Sequence, residues 1–239
     1  SGKDVMGPMQ KSSWVFMVWL CAAVLCAQTV TVRGRVEVAA KENSEEAKPG
    51  AAPKARRDKG RPQAIPETVV WLTPAPGSGV QLEPPKPSTK HPKLVQKDKS
   101  FQPHVLVIPA GTMVEFPNLD PFFHNVFSLY EGKRFDLGLY EAGSSKSVTF
   151  SKVGVSYIFC NIHPEMSAVV IAVSTPLYAM ADAKDSVLLR GIPPGNYKLH
   201  VWIEGVSQSF LQTLSRPVHI SNQSVDLGVL KAPIAGVGT

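Results

Sequence analysis

Hydrophobic and polar residues alternate with a period of two over much of this chain, and helical periodicity is absent outside the N-terminus. Alternation of this kind predicts β-strands that bury one face. Turns rich in Pro and Gly, of which there are 21 and 18, separate the alternating runs. The predicted strands span residues 29–38, 67–72, 105–108, 113–116, 124–127, 147–150, 155–159, 168–173, 185–190, 196–202, 218–221 and 225–229. The predicted fold class is therefore all-β.

The N-terminus has the features of an export signal. Lys11 provides a positive charge, and residues 14–26 form an apolar run of 13 residues. A run of this length is too short to span a bilayer comfortably and is typical of a signal helix. The sequence therefore predicts a signal peptide at 1–27 and a periplasmic or extracellular location. The alternatives are an uncleaved anchor, which would associate the protein with the membrane, and a lipoprotein attached through Cys26.

The net charge of +6 is concentrated in linkers that lack apolar periodicity. Residues 41–63 are rich in Ala, Lys, Glu, Arg and Pro, and they are predicted to form a disordered insertion. A basic run can bind nucleic acid or an anionic surface, but in an exported protein a solvated loop is favoured. We therefore expect no nucleic-acid partner.

The cysteine count changes once the signal is set aside. The chain has 3 cysteines, and Cys21 and Cys26 lie inside the predicted signal. Cys160 is then the one thiol of the mature protein. A lone thiol cannot form an internal disulfide, and it oxidises in an oxidising compartment if it is left free. Burial or metal ligation would protect it.

Metal-binding residue types cluster around Cys160. His163 and Met166 follow it with a Cys-x2-His-x2-Met spacing on one loop between two predicted strands, and His124 stands at the start of an earlier strand. Two imidazoles, one thiolate and a weak thioether are the donor set of blue-copper sites. Zinc is the rival metal, but zinc sites rarely include methionine. Asn125 is predicted to tie the two ligand segments together through its amide.

The segments 116–120, 124–126 and 154–166 resemble the cupredoxin family, in particular the group of plastocyanin, pseudoazurin and amicyanin. Pro164, which follows the loop histidine, makes the loop most similar to amicyanin. The resemblance spans residues 94–174. It implies an eight-stranded Greek-key sandwich with a single type 1 copper ion.

The resemblance also implies roles for individual residues. The positions that match the family's ligands and its loop-bridging asparagine are His124, Cys160, His163, Met166 and Asn125. In this family, electrons enter and leave through the exposed edge of the loop histidine. An apolar docking patch is therefore expected around His163, formed by Phe122, Phe123 and Pro164.

The flanks of this region have a resemblance of their own. Residues 32–36, 68–72 and 191–199 are similar to the carboxypeptidase-regulatory-like β-sandwich, a family with no catalytic residues to carry over. The copper domain would then be inserted between the second and third strands of that module. The predicted organisation is a signal peptide at 1–27, a first sandwich part at 28–92, the cupredoxin domain at 93–176, a second sandwich part at 177–232 and a tail at 233–239. The whole arrangement is similar to bacterial exported proteins often called methylamine-utilisation-like.

These features predict an exported blue copper protein, and not an enzyme, that carries single electrons between redox proteins such as a cytochrome or a dehydrogenase. One alternative is a subunit of a copper-dependent oxidoreductase, but multicopper oxidases need His-x-His pairs and the sequence has none. The other alternative is a copper storage or delivery protein, which favours open, Met-rich or two-cysteine sites. The remaining histidines are expected to be surface or packing residues: His91, His104, His200 and His219.

Overall fold

The computed structural model describes residues 30–40, 66–87, 89–129 and 132–234. The predicted signal peptide at 1–27 and the predicted disordered insertion at 41–63 lie outside the described residues. Residues 235–239 of the predicted tail also lie outside them. Within the described part, no helix is long and apolar enough to cross a membrane.

Sixteen strands and one short helix make up the regular structure of the described residues. The strands are β1 (Val30–Ala40), β2 (Thr68–Pro74), β3 (Val95–Lys97), β4 (Ser100–Gln102), β5 (Val105–Pro109), β6 (Thr112–Pro117), β7 (His124–Ser128), β8 (Phe135–Tyr140), β9 (Ser145–Phe150), β10 (Gly154–Phe159), β11 (Ser167–Val173), β12 (Tyr178–Met180), β13 (Ser186–Ile192), β14 (Gly195–Ile203), β15 (Arg216–Ile220) and β16 (Val225–Ile234). The helix α1 (Gln208–Leu214) begins after Ser207, whose side-chain oxygen accepts the backbone N–H of Phe210. The prediction of an all-β fold class is confirmed.

Strands β3 to β11 form one sandwich, which we call the inner sandwich. One of its sheets has the order β5-β11-β10-β7-β8, and the β6–β9 pair and the β3–β4 hairpin pack against it across a shared core. The chain crosses between these layers at β5–β6, β6–β7, β8–β9 and β9–β10, as in Greek-key sandwiches. Every second residue of β6 is buried, which places Val114 and Phe116 in the core.

The other strands form a second unit, which we call the flanking sandwich. Its two sheets have the orders β13-β1-β16 and β12-β2-β14-β15. Tyr197 on β14 is fully buried, and its hydroxyl donates to the carbonyl of Pro193 at 2.7 Å, which holds the turn between β13 and β14. These strands come from the chain on both sides of the inner sandwich. The predicted domain limits at 92 and 176 stay predictions.

Strand β11 is buried on both faces and joins the two sandwiches. Val170 and its alternate neighbours lie in the core of the inner sandwich, whereas Val169, Ile171 and Val173 lie in the core of the flanking sandwich. A strand that is buried on both sides needs an unbroken apolar run, and residues 168–173 supply one. The two sandwiches are therefore packed through a continuous apolar interface.

The interface can be tested at Ile171, which is 1% exposed. Ile171→Ala is expected to lower the free energy of unfolding by about 2–5 kcal/mol, because the truncation leaves a cavity between the sandwiches. Equilibrium denaturation measures this loss. Leu188→Ala is the control, since Leu188 on β13 is 41% exposed and its truncation should change stability by about 0.5 kcal/mol or less. Equal losses for the two variants would contradict the shared interface.

Candidate metal centre

The seven residues between β10 and β11 form a tight loop. The two strands are paired to their ends, with Phe159 opposite Ser167, so the loop must close over a short distance. The backbone N–H of Cys160 donates to the carbonyl of Met166 at 3.4 Å, and the N–H of Met166 donates to the carbonyl of His163 at 2.9 Å. Cys160 is 3% exposed and Met166 is 1% exposed. The loop therefore turns its cysteine and its methionine into the inner sandwich.

Three of the predicted ligands come together at this end of the inner sandwich. His124 begins β7 and is fully buried. The Sγ of Cys160 lies 3.7 Å from Nδ1 of His124 and 3.8 Å from Nδ1 of His163, and the two Nδ1 atoms are 3.2 Å apart. Among the described residues, these three form the one group of metal-ligating side chains within 4.8 Å of one another.

These separations fit the coordination of a single ion. Bonds of about 2.0–2.3 Å from a first-row metal to imidazole nitrogen and thiolate sulfur place such donor atoms roughly 3.3–3.8 Å apart. Met166, buried on the same loop, is the remaining predicted ligand. Its loop contains both Cys160 and His163, whereas His124 comes from a separate strand, so the ligands are held by three neighbouring strand ends.

Asp120 is a functional residue that sequence reasoning missed. Its Oδ2 lies 2.8 Å from Nε2 of His124, and the pair is almost fully buried. The backbone N–H groups of Asp98 and Lys99 donate to the same carboxylate at 2.7 and 3.0 Å. Both of these residues have left-handed backbone, with φ of 54° and 52°, which turns successive N–H groups towards one anion. A carboxylate four residues before a histidine ligand was the available signal in the sequence.

The Asp120 carboxylate fixes the tautomer of His124. Burial acts to raise the pKa of Asp120, but the hydrogen bonds from His124, Lys99 and Asp98 outweigh it and hold this pKa below its usual value. An ionised carboxylate only accepts hydrogen bonds, so the proton of the neutral imidazole lies on Nε2. The lone pair of Nδ1 is then free and faces Cys160, which is the arrangement that metal-ligating histidines adopt.

Asn125 contacts a different partner from the one that the sequence predicted. Its amide nitrogen donates to Oδ1 of Asp136 on β8 at 2.7 Å, and its own Oδ1 is buried without a hydrogen-bond partner. The register of β7 against β8 shifts between Asn125 and Phe127, and this irregularity lies where the amide meets β8. Asn125 therefore ties β7 to β8 and makes no such bond to the ligand loop.

Aromatic and apolar side chains surround the exposed edge of the site. The ring of Phe122 lies 5.2 Å from that of His124 and 5.4 Å from that of His163, measured between centroids. Phe122 and His163 are half-buried, whereas Phe123 and Pro164 are exposed. Two further exposed apolar residues adjoin this edge in the chain, beside Asp120 and within the ligand loop: Leu119 and Ile162.

The other histidines lie elsewhere and have their own partners. His200 stacks on Trp71, with ring centroids 5.1 Å apart, and its Nε2 lies 2.9 Å from the hydroxyl of Thr73. His91, His104 and His219 contact Glu115, Glu204 and Asn196, respectively. None of these histidines belongs to the group formed by the three clustered ligands.

Comparison with known proteins gives likenesses to solved structures alone. No model of a protein family matches the sequence, and no curated protein matches it. The purple cupredoxin from Nitrosopumilus maritimus is 24% identical over 34% of this chain and 99% of its own, with a TM-score of 0.32. The amicyanin from Paracoccus versutus is 22% identical over 36% and 84%, with a TM-score of 0.33. The Cu-containing nitrite reductase from Thermus scotoductus is 28% identical over 40% and 24%, with a TM-score of 0.33.

The role of Asp120 can be tested by Asp120→Asn. We expect about 10–100-fold weaker Cu(II) binding, because the substitution removes the negative charge that holds the ring of His124. Competition titration with a chelator of known affinity measures the change. Asp98→Asn is the matched control: its exposed carboxylate lies on the same turn, while its backbone N–H remains. Unchanged affinity in Asp120→Asn would contradict the assigned role.

Proposed function

We propose that this protein binds one copper ion as a type 1 site and passes single electrons between redox partners. The ligands are His124, Cys160, His163 and Met166. The observation that carries the proposal is the convergence of two imidazole nitrogens and one thiolate sulfur, with separations of 3.2–3.8 Å, in a pocket where Cys160 is 3% exposed. Two nitrogens, a thiolate and a weak thioether are the donors that blue-copper sites use.

The protein's part is to hold these donors still. Copper supplies a one-electron couple whose two oxidation states prefer different geometries, and a rigid intermediate donor set is acceptable to both. His124 is held by the Asp120 carboxylate, and the ligand loop is closed by hydrogen bonds among its own backbone groups. Because the ligands are positioned before the electron arrives, little rearrangement accompanies transfer.

Electrons enter and leave through His163, whose ring is half-buried at the edge of the site. Phe122, Phe123 and Pro164 form the apolar docking patch around it. A flat apolar surface with few charges suits a short-lived contact with another redox protein. A cytochrome or a dehydrogenase is the kind of partner that this surface would meet, and export to the periplasm or outside the cell would place the protein beside such partners.

An electron carrier is favoured over an oxidoreductase subunit or a storage protein. A copper oxidoreductase would need a second metal group, and the described residues contain one cluster of suitable side chains. Rapid handover of copper needs an accessible site, whereas His124 is fully buried and Cys160 nearly so. Both features support tight retention of one ion.

The copper-loaded protein is expected to bind one copper per chain and to have an intense thiolate-to-copper absorption band in the orange-red. Cys160→Ser should remove this band, because the thiolate is its origin. Metal analysis and the visible spectrum provide the two measurements. Two copper ions per chain would revive the oxidoreductase alternative, and a copper-loaded protein without the band would sink the proposal.

Met166→Gln tests the electron-carrier role separately. The midpoint potential should shift while copper stays bound, because an axial glutamine replaces the thioether and the axial ligand tunes the potential. Protein-film voltammetry measures the shift. Met180→Gln is the control, since Met180 lies on β12 of the flanking sandwich and is 40% exposed. Loss of copper with no redox wave in Met166→Gln would favour the storage alternative.

A further inference from the structure

One side chain of the inner sandwich connects the end of the ligand loop to the flanking sandwich. His104 lies between β4 and β5, and its Nδ1 is 3.0 Å from the carbonyl oxygen of Ser167, the residue after Met166. Its Nε2 is 2.6 Å from Oε1 of Glu204, which directly follows β14 of the flanking sandwich. The carbonyl of His104 also accepts the N–H of Val169 at 2.8 Å. His104 therefore holds the first turn of chain beyond the loop.

Both partners of the His104 ring are acceptors. A carbonyl and an ionised carboxylate each require an N–H, so the ring satisfies both contacts when it carries two protons and a positive charge. The hydrogen bond to Glu204 raises the pKa of His104, and the hydrogen bond from His104 lowers the pKa of Glu204. The connection is therefore a charge-assisted link between the two sandwiches.

Glu204 is itself fixed in place. Its Oε2 accepts the backbone N–H of Glu67 at 3.4 Å, and its own N–H donates to the carbonyl of Glu67 at 2.9 Å. Glu67 directly precedes β2, which pairs with β14 over its whole length. The carboxylate is thus anchored to the sheet of the flanking sandwich that packs on β11, and not to a separate loop.

We infer that His104 and Glu204 are positioning residues, through which the flanking sandwich holds the exit of the ligand loop and sets the place of Met166. The inference deepens the proposed function and rests on it. A long axial thioether bond is weak, so the position of the sulfur is set by its backbone more than by the metal. The backbone beside Met166 is the segment that His104 holds.

The link acts on position more than on stability. The side chains of His104 and Glu204 are 37% and 39% exposed, and ion pairs of this exposure contribute little to the free energy of unfolding. Most of the contact between the sandwiches comes from the apolar core that includes Val169 and Ile171. Variants of the pair are therefore expected to fold.

The test compares Glu204→Gln, His104→Gln and the double variant with the wild type. In the copper-loaded protein, both single variants should shift the midpoint potential and the visible band while one copper stays bound. The double variant should shift them no further than the larger single variant, because the two residues form one link. In the metal-free protein, the amide of Met166 should exchange its hydrogen about two- to fivefold faster, the factor that corresponds to the loss of an exposed ion pair.

Tyr157→Phe is the matched control. The hydroxyl of Tyr157 accepts the indole N–H of Trp202 at 3.3 Å, so this variant removes another hydrogen bond between the sandwiches, away from the loop exit. It should leave the potential and the exchange of Met166 unchanged. Equal effects in Tyr157→Phe, or no effect in the three test variants, would overturn the inference. A wild-type protein without copper or a redox wave would refute the proposed function instead, and the exchange measurement would still decide the link.

Discussion

The burial of β11 on both faces is the constraint on which the rest of the structure depends. One face completes the core of the inner sandwich, and the other completes the core of the flanking sandwich. Strand β11 also begins at Ser167, immediately after Met166, so the strand that fixes the two units also fixes one end of the ligand loop. The pairing of β10 with β11 fixes the other end, at Phe159. The loop is short because its two ends are neighbouring ends of a rigid strand pair.

Burial then determines the electrostatics of the site. His124 is fully buried, and a buried polar ring requires partners for both nitrogens. Asp120 supplies one partner, and its own charge is tolerated because two backbone N–H groups and the imidazole N–H satisfy it. The other nitrogen faces Cys160 and His163. A donor set that faces inward with no protein hydrogen atom between its members is the arrangement that a metal ion completes.

Much of the fold and of the site follows from local sequence, because strand alternation and ligand spacing are short-range properties. The all-β class and the placement of Cys160, His163 and Met166 on one loop between two strands were predictable for this reason. The role of Asp120 was not, since its charge is satisfied by a turn about twenty residues earlier. The partner of Asn125 depends on a register shift that no pattern indicates. The short helix α1 and the strand β8 were missed, because seven or fewer residues give too little periodicity.

The role of His104 exposes a limit of the description in which one module is inserted into another. A histidine outside any metal motif was assigned to the surface or to packing, yet its two ring nitrogens contact the end of the ligand loop and the flanking sandwich. An inner sandwich without its flank would also expose Val169, Ile171 and Val173, an apolar stripe along one whole strand. The residues that hold the loop and the residues that cover β11 therefore belong to both units. The metal centre is a property of the joined sandwiches, although its ligands all come from one of them.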